Sequence, residues 1–183
     1  MNGPFGVVSD EEYPPKRGHM ALAQALSDHP FTQGMSESQL KKLASLAREV
    51  SFEEDEIVFR AGENSTHFCL LLSGSACVEI RKQYYGICVQ TLGPGEAFGW
   101  SSLLDEHHTV FQVRARERCD AIFLDGQKLA EACQKDPKLG VDVFRRLARI
   151  VAKRVKATEL RLAEFCGSPD DDMRPNGRKQ SAE

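Results

Sequence analysis

Apolar positions along this chain change their spacing twice. Residues 1–18 show no sustained period: Phe5 to Val8 is a short apolar stretch among glycines, prolines and the acidic run Asp10-Glu11-Glu12. That composition predicts a disordered arm. Met20–Leu26 and Glu37–Arg48 then predict two helices. In the second, Leu40, Leu43, Leu46 and Ala47 recur at spacings of three and four, with Lys41, Lys42 and Arg48 turned away. Ser36 reads as its N-cap and Gln39 completes a capping box. His29-Pro30 separates the helices, because the residue before proline is pushed out of the α region.

From Val50 to Leu124 the period becomes two. Val50–Phe52, Ile57–Phe59, Phe68–Leu72, Ala76–Ile80, Ile87–Leu92, Val110–Val113 and Ala121–Leu124 alternate with Gly-, Asn- and Ser-bearing turn signals. Short strands punctuated this regularly predict an α+β, mainly β fold. Seven or eight such strands fit an antiparallel sandwich or a barrel; the expected form is an eight-stranded antiparallel jelly-roll-like β-barrel, with short N-terminal helices and two C-terminal ones. After Leu124 the period returns to 3.6. Asp125 can cap a helix over Gln127–Gln134, and Asp136-Pro137 opens a longer one to about Phe165. Its apolar stripe is Phe144, Leu147, Val151, Val155, Thr158, Leu162 and Phe165. The expected organisation is an arm over 1–18, a domain over 19–165 and a disordered tail over 166–183. Within the domain, helices occupy 19–48, strands 49–125 and C-terminal helices 126–165.

Charge and composition narrow the function. The net charge of −3 over 183 residues does not suggest a polyanion binder. However, residues 141–162 carry +5, leaving −8 on the rest of the chain. That basic face reads first as a solvated helix face, then as the flank of a dimer seam, and last as a nucleic-acid contact. No run is apolar enough for a membrane helix or a signal peptide, so the chain is expected to be cytoplasmic, with neither membrane nor DNA as partner. Six cysteines show no C-x-x-C spacing, which predicts reduced and mostly buried thiols.

The chemistry-bearing motifs are few. Asp105-Glu106-His107-His108 could hold a metal ion, but adjacent side chains diverge, so no metal site is expected. His67-x-Cys69 places two haem-ligand types on one strand face, where ordinary side chains are the plainer reading. No nucleophile elbow, zinc-protease motif or phosphate-binding Walker loop is present, so the chain is expected not to be an enzyme. What stands out is Gly93-Pro-Gly-Glu-Ala-Phe-Gly-Trp-Ser-Ser-Leu-Leu104, a Gly-rich turn leading into one helical turn between two strands. Amides opening such a turn suit an anionic phosphate, although Gly-Pro-Gly is also a common loop.

Three blocks of residues carry a family resemblance. They are Phe52-x-x-x-Glu56-x-x-Phe59-x-x-Gly62-Glu63, Phe68-x-Leu70-x-x-x-Gly74 and Leu92-Gly93-x-Gly95-Glu96-x-Phe98-Gly99. With the order of helices and strands, they resemble the cyclic nucleotide-binding domain of cAMP-dependent kinases, nucleotide-gated channels and the catabolite activator protein. The resemblance spans about Ser27 to Leu162. It implies a phosphate cassette over 93–110, in which the family uses a Glu for the ribose hydroxyl and an Arg for the cyclic phosphate. Aligned without gaps, Trp100 stands at the Glu position and Thr109 at the Arg position. The chain is also similar to a bacterial subgroup of stand-alone members with Gly-Trp-Ser in the cassette.

The resemblance implies a regulatory module without cofactor, sensing a cyclic nucleotide (cAMP or cGMP) or a related phosphate ligand. Its ligand-facing residues would be Phe98, Gly99, Trp100, Ser101, Ser102, His108, Thr109, Val110 and Phe111. Arg145, Leu147 and Arg149 on the long helix would act as lid or partner contacts. Output would pass to a regulatory protein partner, or to a second copy through the long helix. The alternative is a degenerate domain that binds no cyclic nucleotide and works by protein–protein interaction or dimerisation. The loss of two charge-assisted hydrogen bonds weakens binding by roughly 3–6 kcal/mol.

Overall fold

A computed structural model describes residues 19–82, 85–104, 109 and 111–166. The expected arm over 1–18 and the tail beyond Cys166 lie outside the described residues. In chain order the elements are α1 (His19–Asp28), α2 (Glu37–Ser45), β1 (Ala47–Phe52), β2 (Ile57–Phe59), β3 (His67–Ser73), β4 (Ala76–Arg81), β5 (Gly86–Leu92) and β6 (Ala97–Phe98). A single 3₁₀ turn (Trp100–Leu103) follows, then β7 (Gln112–Ala115), β8 (Cys119–Asp125), α3 (Gly126–Lys135) and α4 (Pro137–Cys166).

The eight described strands do not close into the expected barrel. They form two separate four-stranded antiparallel sheets, ordered β1-β8-β3-β6 and β2-β7-β4-β5. The physical reason lies in strand length. β2 has three residues and β6 two, too few ladder hydrogen bonds to bridge from one sheet to the other. The sheets enclose Val50, Phe52, Val58, Cys69, Leu71, Phe98, Val113, Ala121 and Phe123. The other face of the first sheet is buried as well: Phe68, Leu70, Ile122 and Leu124 are fully enclosed, and Phe31, between the N-terminal helices, meets Phe68 edge-on at 4.9 Å. Burial on both faces explains why β3 reads as an unbroken apolar run.

Local caps follow the expected chemistry. Ser36 and Gln39 form a reciprocal capping box at α2, Asp125 accepts the Lys128 amide at 2.9 Å, and Asp136 accepts those of Lys138 and Leu139. Two expectations need correction. α2 ends at Ser45, and Ala47 and Arg48 belong to β1, because that strand pairs with β8 from Ala47↔Leu124 onward. Cys77 and Cys88 are disulfide-linked across β4 and β5, while Cys69, Cys119 and Cys133 are free and buried. The antiparallel ladder brings the two cysteines' Cα atoms to 5.8 Å, a reach that no spacing of cysteines in the sequence reveals. The chain divides into two compact units after Arg146, the second beginning at Leu147 within α4.

Candidate functional site: the turn between β6 and β7

The segment that separates β6 from β7 is prepared by a tight turn. Glu96 N donates to the Gly93 carbonyl at 3.1 Å, and the Glu96 carboxylate accepts the Gly93 amide at 3.0 Å. Gly95 donates to the Leu71 carbonyl at 2.8 Å and lies against Pro30, where an added Cβ would be 3.0 Å from the ring. The turn is therefore seated on β3 and on the loop between α1 and α2.

β6 delivers Gly99 at φ +75°, where a Cβ would stand 2.3 Å from the His67 carbonyl and 2.8 Å from the Phe59 ring. Only glycine fits that position. The Gly99 carbonyl accepts from the Ser102 amide at 3.1 Å, the Ser102 hydroxyl at 2.7 Å and the Ser65 hydroxyl at 3.4 Å. Ser102 is buried against Gly126, the first residue of α3, where a Cβ would meet it at 2.6 Å. The turn is thus clamped between the His67 backbone and the start of α3.

The expected ligand-facing residues separate into groups. Trp100 and Ser101 are half-buried, Phe98 is in the core, and Phe111 is exposed just before β7. The Ser102 amide does not point outward as expected, because a single 3₁₀ turn closes its i→i+3 bond onto Gly99. Thr109 is stitched to the loop after β2: its amide donates to Glu63, its carbonyl accepts from Gly62 at 2.7 Å, and its hydroxyl lies 3.0 Å from the Arg60 carbonyl. His108 and Val110 lie outside the described residues, as do Asp105, Glu106 and His107. Arg145 is exposed in the first unit; in the second, Leu147 is buried and Arg149 exposed. Of the apolar stripe on α4, Phe144 in the first unit is 41% exposed and Val155 in the second 49%, whereas Leu147 is buried.

One cluster escapes the sequence reading. On the inner face of the first sheet, His67 stacks on Phe123 at 4.9 Å, and the Arg48 guanidinium carbon lies 5.6 Å from the same ring. Arg48 Nη2 is 3.4 Å from His67 Nε2, and the Thr66 hydroxyl is 2.8 Å from Nδ1. The missing signal was the register of β1, which turns Arg48 inward. Among the described residues no group of three or more metal-ligating side chains converges.

A sequence profile described as the cyclic nucleotide-binding domain matches residues 49–136, the sheets and the intervening turn just described. Residues 49–136 belong to the cyclic nucleotide-binding domain family. The solved structure of a cyclic nucleotide-binding protein from Geobacter metallireducens is 25% identical with a TM-score of 0.65, covering 73% of this chain and 97% of that one. The regulatory subunit of a cAMP-independent protein kinase A from Trypanosoma brucei is 22% identical with a TM-score of 0.61, over 76% of this chain and 51% of that one. Its triple variant, with a Glu changed to Ala and a consecutive Thr-Val pair changed to Arg-Ala, is bound to cAMP in the A site. A Rhodopseudomonas palustris protein named as a potassium channel is 23% identical over 176 residues, which is 94% of this chain. The chain spans 42% of that relative's length. No described helix is long and apolar enough to cross a membrane.

Proposed function

We propose that this cyclic nucleotide-binding domain is a non-enzymatic sensor whose Phe98–Phe111 cassette takes a phosphate ligand of the cyclic nucleotide class. The observation that carries the reading is the seating of the turn: Gly99 rests on the His67 carbonyl and Ser102 on Gly126 of α3. A ligand that moves the turn must move the start of α3, so occupancy is converted into helix position. The ligand's differential affinity for the two turn positions supplies the switching energy. Half-buried Trp100 offers an indole face to a base without filling the core. Output passes to a regulatory protein partner or a second copy, and Val155, exposed on the second unit's part of α4, belongs to the surface offered.

A second reading is favoured by a specific observation. Thr109, at the position of the family's Arg, and Ser102 both turn their hydroxyls to backbone carbonyls, so the domain works through partner contact without a cyclic nucleotide. This chain carries Thr109-Val110, the residue pair replaced in the cAMP-bound trypanosome variant. Titration calorimetry with cAMP and cGMP separates the two, run on the wild type and on Trp100→Glu/Thr109→Arg/Val110→Ala. The sensor reading expects wild-type heat, and restored anchors tighten cAMP by roughly 3–6 kcal/mol. Heat from the variant alone would leave the mechanics intact and assign the wild type to the partner-only reading.

A further inference from the structure

The Cys77–Cys88 bond has no role in the cassette reading, yet its place in the sheet is unusual. Among the described residues, β5 is the edge strand of the second sheet and pairs only with β4. Of its seven residues only Leu92 is buried; Ile87 near its start is 43% exposed, and Tyr85 just before it 63%. The ladder is itself interrupted there: register shifts between Val78 and Glu79, so Val89 is the extra residue beside Cys88. Little side-chain packing holds β5, and the disulfide ties it where its hydrogen bonding is broken. At its C-terminal end β5 runs directly into the Gly93–Glu96 turn and Gly99.

We propose that Cys77–Cys88 is a reversible thiol–disulfide latch on β5, whose reduction loosens β5 and the Gly93–Gly99 segment that it feeds. The two sulfurs differ in access. Cys88 is exposed, whereas Cys77 has no exposed surface. A thiolate of a small thiol or dithiol therefore attacks Cys88 Sγ, forms a mixed disulfide there, and expels Cys77 as thiolate. A second thiol attacks the outer sulfur of the mixed disulfide and releases Cys88. Two electrons enter the protein, two protons complete its thiols, and the reagent leaves as its disulfide. The expelled thiolate is generated in a buried position, where desolvation opposes its charge, so protonation or opening of the hairpin must accompany reduction. Cys69, Cys119 and Cys133 are buried and do not compete: burial raises the thiol pKa of Cys69 and Cys119, and pushes that of Cys133 up to about 11.

The latch is independent of any nucleotide, so its test uses none. Full-length protein is equilibrated in oxidised or reduced glutathione, alkylated under denaturing conditions and mapped by mass spectrometry, with hydrogen exchange followed in parallel. Four of the six cysteines should be modified in the oxidised form and all six in the reduced form, with Cys77 and Cys88 in the linked peptide. Reduction should speed exchange over 86–99 by about tenfold or more while leaving unchanged the β3 amides that pair with β8. Cys88→Ser should behave as the reduced form in both buffers. Six modified cysteines under both conditions, a linkage between other cysteines, or equal exchange over 86–99 in the two forms would each overturn the latch. Should the variant fold poorly, the wild-type comparison alone decides.

Discussion

Strands β3 and β5 are each seven residues long and carry similarly apolar sequences, HFCLLLS and GICVQTL. Five residues of β3 are buried, against one of β5. β3 lies between β8 and β6, with the core on one face and helices on the other, whereas β5 has a neighbour on one side only. The comparison teaches where this domain stores its stability and where it can move. The framework strand anchors the cassette through the His67 carbonyl and the Leu71 backbone. The edge strand feeds the same cassette from a loosely held position. One cassette is therefore joined to a rigid support and to a soft one.

The sharpest way to break this comparison is truncation of one residue on each strand. Phe68→Ala on β3 should lose about 3–5 kcal/mol in urea unfolding, and Ile87→Ala on β5 no more than about 0.5 kcal/mol. Comparable losses would place β5 in the framework. Gly99→Ala should come next, at about 2–4 kcal/mol, since the new Cβ meets the His67 carbonyl in a backbone conformation that disfavours it. An unshifted midpoint for that variant would mean that the cassette is not seated on β3.

The smallest effect concerns His29, which is buried, accepts the Phe31 amide at Nδ1 and has its pKa lowered by burial, with the Leu71 carbonyl acting the other way. The unfolded chain thus takes up a proton at His29 before the folded one does. Its contribution is fully present above the unfolded value of about 6.5 and fades as the pH falls below it. Wild-type stability should drop between about pH 7.5 and about pH 5.5, and His29→Gln should flatten that slope. Identical slopes would remove His29 from the coupling between the helical loop and β3.

The family motifs were legible because most of their residues serve the framework. Phe52, Phe68, Leu70, Leu92 and Phe98 are core, and Gly62, Gly74, Gly95 and Gly99 all occupy left-handed backbone. Such requirements are local or periodic, so they show in one sequence. The fate of the cassette's polar groups did not show. Ser102 and Thr109 bond to backbone carbonyls supplied by Gly99 within the turn and by Arg60 from a loop 49 residues away in the chain. Arg48 was misplaced for the same reason, since its inward direction depends on pairing with β8.

By itself the sequence determined the order of the helices and of the longer strands, and the caps at Ser36, Asp125 and Asp136. Those features rest on periodicity or on hydrogen bonds a few residues apart. Only the tertiary structure decided that the strands form two open sheets, that Cys77 reaches Cys88, and that β5 is an edge. Strand order and cross-strand register are set by contacts between distant segments, and the alternation within one strand is the same at the centre of a sheet as at its edge.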